Sequence, residues 1–325
     1  MDEFWNVAVA APLKSVLTYK APESMLGQLS IGQLVQLPLG KRKVRGVLIE
    51  KTNKIPDFQL KEIQTIENEY HPLPGHFIKW IEWISQYYFH PIGEVAALAY
   101  PPLNKTDKNK TRKKSAIPIL DHVPAHELTE EQKKVFQDIS SQTGFSTHLL
   151  FGVTGSGKTE VYMRMLEKTL SENKKGLILV PEISLTPQLI HRFVSRFGDK
   201  VALLHSQLTE RERTNQWWEI VDGKKEILIG ARSALFCPID NLGLIIVDEE
   251  HEASYKQDEK LKYNGRDCAI MLGKLSNCPV ILGSATPSLE TWKNCLDGKF
   301  QLHQMKARVQ GRSLPDVNII DLRDE

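Results

Sequence analysis

Residues 152–159 read Gly-Val-Thr-Gly-Ser-Gly-Lys-Thr, the spacing G-x-x-x-x-G-K-[ST]. Glycines at those places let backbone N–H groups turn inward around phosphate oxygens. A helix opening at Lys158 adds the positive end of its dipole. In this pattern Gly152, Val153, Thr154, Gly155, Ser156 and Gly157 line a triphosphate, Lys158 reaches the β- and γ-phosphates, and Thr159 ligates Mg2+. About ninety residues later the run Leu-Gly-Leu-Ile-Ile-Val leads straight into Asp248-Glu249-Glu250-His251. On this reading Asp248 holds the same Mg2+ through water, and Glu249 orients and deprotonates the attacking water. Lys158, Asp248 and Glu249 are the candidate catalytic residues of an ATP-hydrolysing core, with ATP and Mg2+ as cofactors.

Weaker signals surround these two. Ser284-Ala285-Thr286 follows an apolar strand, so two hydroxyls stand beside the nucleotide crevice where, with His251, they can sense the acidic box. Gln132 lies about twenty residues ahead of the loop and can read the adenine edge. Arg232 and Ser233 end another strand and can touch a phosphate of a bound nucleic-acid strand. Segment 254–267 is polar and partly basic. It carries Tyr255 and Tyr263, which on a mobile loop could stack on a base and report DNA occupancy to the acidic site.

The elements that must position these groups are legible in outline. From His126 onward, short apolar runs at 177–180, 201–204, 227–229, 244–247 and 280–282 alternate with amphipathic stretches such as 184–197 and 210–221. That pattern predicts a parallel sheet covered by helices on both faces, a RecA-like α/β lobe over 126–325. Thr129 stands three residues before Gln132, a capping-box spacing that starts a helix. The first 103 residues read differently. Alternating segments at 5–11, 34–39 and 44–50, the last two joined by Gly40-Lys41-Arg42-Lys43, predict a small β-rich, OB-like domain with a basic hairpin tip. Phe77, Trp80, Ile81, Ile84, Tyr87 and Tyr88 then recur at helical spacing, with Trp80 and Ile84 as core. Residues 104–125 read as a basic linker.

Composition narrows the classes. Net charge is +2 overall, but residues 1–103 are neutral, 104–125 carry +4 and 126–325 carry −2, so any DNA affinity must come from local patches. Cys237, Cys268, Cys278 and Cys295 have no C-x-x-C spacing, which argues for reduced, mostly buried thiols. No apolar run is long enough to span a bilayer, and acids stand where a signal peptide would carry positive charge; the expectation is a cytoplasmic protein with no membrane partner.

Longer motifs carry a resemblance. V-P-E-I-S-L-T-P-Q (180–188), L-H-S (204–206), G-A-R-S-A-L-F (230–236), D-E-E-H-E-A-S-Y-K-Q (248–257) and G-S-A-T-P-S-L-E (283–290) resemble the superfamily 2 helicases of the PriA (primosomal protein N′) family. A-P-L-K-S-V-L-T-Y-K-A-P-E, Q-L-P-L-G-K-R-K and Q-Y-Y-F-H-P-I-G-E-V resemble that family's 3′-end DNA-binding domain. The resemblance implies an ATP-dependent 3′→5′ DNA helicase that restarts replication at stalled forks, binds forked and single-stranded DNA, and works with single-strand-binding protein and primosome components. It implies that Leu17, Thr18, Gly40 and Lys61 form a pocket for a nascent strand's 3′ end, and that Tyr263 and Arg266 belong to the loop coupling DNA to hydrolysis. The family's winged-helix insert has no counterpart in the short linker. Its zinc module and second motor lobe lie beyond Glu325, so zinc is expected only in that half, and poor hydrolysis is expected of residues 1–325 alone. The competing reading is a DNA-fork binding module whose nucleotide site is regulatory or structural.

Overall fold

The computed structural model describes residues 2–54, 56–57, 59–103 and 127–307; the expected linker at 104–125 lies outside these. Strands β1 (Phe4–Val9), β2 (Leu17–Lys20), β3 (Leu34–Leu39), β4 (Arg42–Thr52) and β5 (Thr65–Ile66) form an antiparallel sheet in the order β2-β1-β4-β3-β5. Alternation decides its two faces. Trp5, Val7 and Val9 turn inward onto Tyr19, Val35, Leu37 and Leu48. Ala8, Leu34, Val47 and Ile49 turn the other way, onto helices α1 (Gly75–Tyr87) and α2 (Ile92–Ala97). The bond from Lys20 N to Lys61 O and the return bond from Ile63 N to Lys20 O bring the sheet's two ends together, as an OB-like closure requires. Helix α2 lies directly on β1, where a Cβ on Gly93 would stand 1.6 Å from Val9 O, so only glycine allows this approach.

The second unit holds α3 (Glu130–Ser140), β6 (Thr147–Gly152), α4 (Lys158–Ser171), β7 (Lys175–Leu179), α5 (Pro187–Phe197), β8 (Val201–Leu204), α6 (Glu210–Val221), β9 (Ile227–Gly230), β10 (Leu242–Val247), α7 (Gly265–Ser276), β11 (Val280–Ser284), α8 (Leu289–Leu296) and β12 (Gln301–Met305). Its strands are all parallel, in the order β12-β6-β11-β10-β7-β9-β8. Strand interiors are buried on both faces. Ile178, Ile246 and Ile281 face α4 and α5, while Leu179, Val247 and Leu282 face the opposite layer. The expected helix at 184–197 starts later, because Thr186 caps it and Pro187 occupies its first turn. The capping box at Thr129 and Gln132 is present. Strands β2, β5 and β12 and helix α2 were not foreseen; they are short or weakly patterned.

Trp80 and Ile84 are buried as expected, but their core is shared. Trp80 Nε1 donates to Cys268 O of α7 at 2.8 Å, and Trp217 Nε1 of α6 donates to Ala99 O at 3.1 Å. Helices α1 and α2 therefore bridge the small sheet and the large one through one continuous apolar cluster. Cys237, Cys268 and Cys278 are buried thiols and Cys295 is half-buried. Among the described residues no helix is long and apolar enough to cross a membrane.

Candidate active site

The phosphate loop leaves β6 at Gly152 and enters α4 at Lys158, the strand–loop–helix context the motif needs. Gly155 and Gly157 take φ of 84° and 86°, a conformation that side chains disfavour. Val153, Thr154 and Gly155 are exposed at the rim, and Thr159 is half-buried in the first turn of α4. Glu160 N, in the first turn of α4, donates to Gly157 O at 3.0 Å, and the N–H groups before it precede any intrahelical acceptor. Ser156 Oγ is buried without a partner. Lys158 is buried; its Nζ donates to Gly152 O at 2.9 Å and stands 3.9 Å from Glu249 Oε1.

The acidic box arrives from β10, whose edge lies two strands from β6. Asp248 Oδ1 accepts a 2.8 Å hydrogen bond from Tyr162 Oη, one helical turn beyond Lys158. Burial raises the Asp248 carboxyl above its ordinary range, opposed by the Tyr162 bond and reinforced by the charge of Glu249. Glu249 sits at φ 45°, a costly conformation for a side chain with a Cβ. His251 Nδ1 is 2.8 Å from Ser284 Oγ, and its Nε2 is 3.2 Å from Thr286 Oγ1. The structure thus brings His251, Ser284 and Thr286 into one contact, with half-buried Ala285 between the two hydroxyl residues. A Cβ on Gly283 would stand 1.6 Å from Tyr162 Oη and 3.0 Å from Asp248 Oδ1, which explains the glycine of G-S-A-T.

Several expectations change. Gln132 does not present its amide to an adenine. It is buried, its Oε1 accepts from Thr129 N in the capping box, and its Nε2 donates to Ser156 O at 3.2 Å, so it braces the phosphate loop. Tyr255 and Tyr263 are not free to stack on a base. Tyr255 is buried with its hydroxyl donating to Asp248 O at 2.7 Å and Leu179 O at 3.0 Å. Tyr263 is buried edge-on against Phe236. Arg266 is engaged within the fold: its NH1 lies 3.1 Å from Glu250 Oε2 and 2.6 Å from Ser288 Oγ. Glu250, whose side chain is fully buried, further accepts from Ser288 N at 2.8 Å and from Thr291 Oγ1 at 2.8 Å. Arg232 uses NH1 on Ser254 O and Lys256 O, stapling the segment after the acidic box. Ser233 stays exposed on a groove of 350 Å³ that also takes in Pro181, Glu182 and Leu98.

Sequence reasoning missed Tyr162, Glu250 and Ser288. Tyr162 carried a signal, since its i+4 spacing from Lys158 puts both on one helix face. In the small domain Lys61 Nζ donates to Gly40 O at 3.2 Å, so those two meet. Leu17 packs on the inner core, whereas Thr18, on the opposite face of β2, donates to Asn6 Oδ1 at 2.9 Å. Leu17 and Thr18 thus turn their side chains to opposite faces of β2, as neighbours on a strand do.

Residues 6–101 match the family described as the PriA 3′ DNA-binding domain, and residues 129–295 match the DEAD/DEAH box helicase family. The Replication restart protein PriA of Chlamydia muridarum is 35% identical over 403 aligned positions, covering 98% of this chain and 54% of that protein. Replication restart protein PriA of Bacillus subtilis is 46% identical over 201 residues, 61% of this chain and 25% of that protein. The chain thus spans about half the length of the first of these relatives. A solved structure of RecG bound to a three-way DNA junction is similar with TM-score 0.45 and 24% identity, covering 59% of this chain and 25% of that one. The chain belongs to the PriA family, with a DEAD/DEAH box helicase domain behind a 3′ DNA-binding domain.

Proposed function

We propose that this chain is the DNA-end-reading and ATP-binding portion of an ATP-driven 3′→5′ DNA helicase that acts at stalled replication forks to restart replication. One observation carries the reading: Lys158 Nζ lies 3.9 Å from Glu249 Oε1, with Asp248 beside it, so the phosphate-binding ammonium and the acidic box share one pocket. The residues fit Mg–ATP. The loop offers the unpartnered Ser156 Oγ and Lys158; the box offers the carboxylates of Glu249 and of Asp248, the latter raised above its ordinary range by burial. Bound Mg–ATP supplies the electrophilic phosphorus and the divalent charge. Lys158 would turn from Gly152 O to the phosphate oxygens, and Asp248, held by Tyr162, and Thr159 would hold the cation. Glu249 orients a water and accepts its proton, and His251 relays the state of the box to Ser284 and Thr286.

Gly40 and Lys61, joined at the hairpin tip, mark the DNA-end side of the small domain, and exposed Ser233 marks the strand-binding side of the lobe. Forked and single-stranded DNA are the proposed substrates. Single-strand-binding protein and primosome components are proposed partners, on the strength of the family alone. The domain division proposed is residues 1–103 and 126–325, with the helices of the first seated on the second.

Glu249→Gln tests the hydrolytic role. In a polypeptide carrying both motor lobes it is expected to leave ATP binding intact and lower DNA-stimulated turnover by about 10²–10⁴-fold. Undiminished turnover would remove Glu249 as the general base.

A further inference from the structure

Away from the Gly40–Lys61 contact and the nucleotide cleft, an exposed aromatic cluster stands unused. At the end of α1 and the turn behind it, Phe89 is 94% exposed and Tyr87 is 60% exposed. Phe89 is held there at φ 52°, so the backbone adopts a disfavoured conformation while displaying an apolar ring to water. Tyr87 stacks on Trp83 with ring centroids 5.0 Å apart and planes 20° from parallel, and Trp83 is only half-buried. Tyr87 also meets Tyr88 edge-to-face at 4.9 Å, and its 60% exposure leaves ring surface available to a flat π-system. Lys79 is exposed one turn before Trp83, on the same helix stripe.

Exposed lysines stand around the cluster. Tyr88, between the two exposed rings, accepts from Asn264 N at 3.2 Å, which fastens the cluster to the segment bearing exposed Lys256, Lys260 and Lys262. Acids border it too: Glu94 lies 3.0 Å from His90, burial and Glu50 raise the Glu82 carboxyl, and the lysine-bearing segment also carries exposed Glu259 and Asp258, the latter 3.6 Å from Lys256. Asp267 is engaged by Arg266 Nε at 3.0 Å. Aromatic faces interleaved with lysines are the chemistry that holds single-stranded nucleic acid without reading its sequence. The contact is also continuous with the post-acid segment of the helicase domain.

We infer that Tyr87, stacked on Trp83, and Phe89 form a base-stacking platform for single-stranded DNA, separate from the proposed DNA-end side at Gly40 and Lys61. The inference rests on the reading of this chain as a DNA binder and adds a site to it. One or two bases lie on the rings, and their phosphates run along Lys79 and Lys262.

The test is titration of the full chain with a fluorescent dT12 oligonucleotide, in parallel with rU12 and duplex arms. Tyr87→Ala and Phe89→Ala are each expected to weaken dT12 binding on the order of tenfold, as loss of a stacked base does. Tyr87→Phe is expected to restore it. Trp emission is expected to be quenched on binding in the wild type and not in Trp83→Phe. Phe89→Gly relieves the positive φ, so it is expected to raise the melting temperature while weakening dT12 binding, which separates a folding defect from a lost contact. Wild-type binding of dT12 with unchanged affinity in Tyr87→Ala and Phe89→Ala overturns the platform alone. Failure of the wild type to bind any nucleic-acid arm overturns the platform together with the DNA-binding reading. Equal losses on duplex and single strand would also overturn it, because a base within a duplex has no free face to offer.

Discussion

At the scale of single residues, the site is built from groups whose roles depend on who touches them. Tyr162 ties the phosphate-loop helix to Asp248, so the two halves of the nucleotide pocket are registered against each other before any ligand arrives. Glu250 and Arg266 do the same for the turn after the second hydroxyl motif: one fully buried carboxylate holds Ser288, Thr291 and a guanidinium. Removing one partner of such a pair strands a buried charge, and this costs about 3–5 kcal/mol. Arg266→Ala is therefore expected to lower denaturant stability by that order, with much of the loss recovered in Arg266→Gln/Glu250→Gln. A near-neutral Arg266→Ala that loses DNA affinity would instead return Arg266 to the DNA surface. The phosphate loop and acidic box were legible because their chemistry needs particular residues at fixed spacing. The burial of the tyrosines and the internal bonds of Arg266 were not legible, because a polar, aromatic segment after a motif looks the same in sequence whether its rings face water or pack beneath the strand ends.

At the scale of elements, short continuous apolar runs located β7 to β11 because strands buried on both faces leave an unbroken signal. Strands β2 and β5 and helix α2 are too short to build a pattern, and β12, QLHQM, is a polar edge strand whose inward His303 hides its register. That edge carries a pH-sensitive contact. His148 is buried with Nδ1 3.1 Å from His303 Nε2 and Nε2 2.8 Å from Ser146 Oγ, while Asp138 Oδ2 is 4.0 Å from His303 Nδ1. Burial, then the neighbouring His303, pushes His148 down to about 4 from the ordinary 6.5. The unfolded chain takes up its proton as pH falls through 6.5, and the folded chain does so only near 4. Stability is thus lost between pH 6.5 and 4, by about 3 kcal/mol at most. Melting temperature followed across that window is expected to fall less steeply in His148→Asn; an unchanged slope would place the acid sensitivity elsewhere.

At the scale of the whole molecule, the two fold classes were readable, and their union was not. Trp80 and Ile84 show helical spacing, but nothing in a spacing tells which surface a buried face meets. The answer is α7 of the helicase domain, through the Trp80–Cys268 bond and the shared apolar cluster. Trp80→Ala is expected to cost about 3–5 kcal/mol and to split one unfolding transition into two, followed by tryptophan fluorescence and circular dichroism together. A single cooperative transition with small loss would mean that the small sheet and the lobe are joined by other contacts. The central claim remains the convergence of Lys158 with Asp248 and Glu249 on one triphosphate. Its most direct measurement is the affinity of a fluorescent ATP analogue for the wild type, Lys158→Ala and Asp248→Asn, with and without Mg2+. The account predicts Mg2+-dependent binding in the wild type, a loss of at least about tenfold in Lys158→Ala, and loss of the Mg2+ dependence in Asp248→Asn. Wild-type affinity with undiminished Mg2+ dependence in both variants would contradict it.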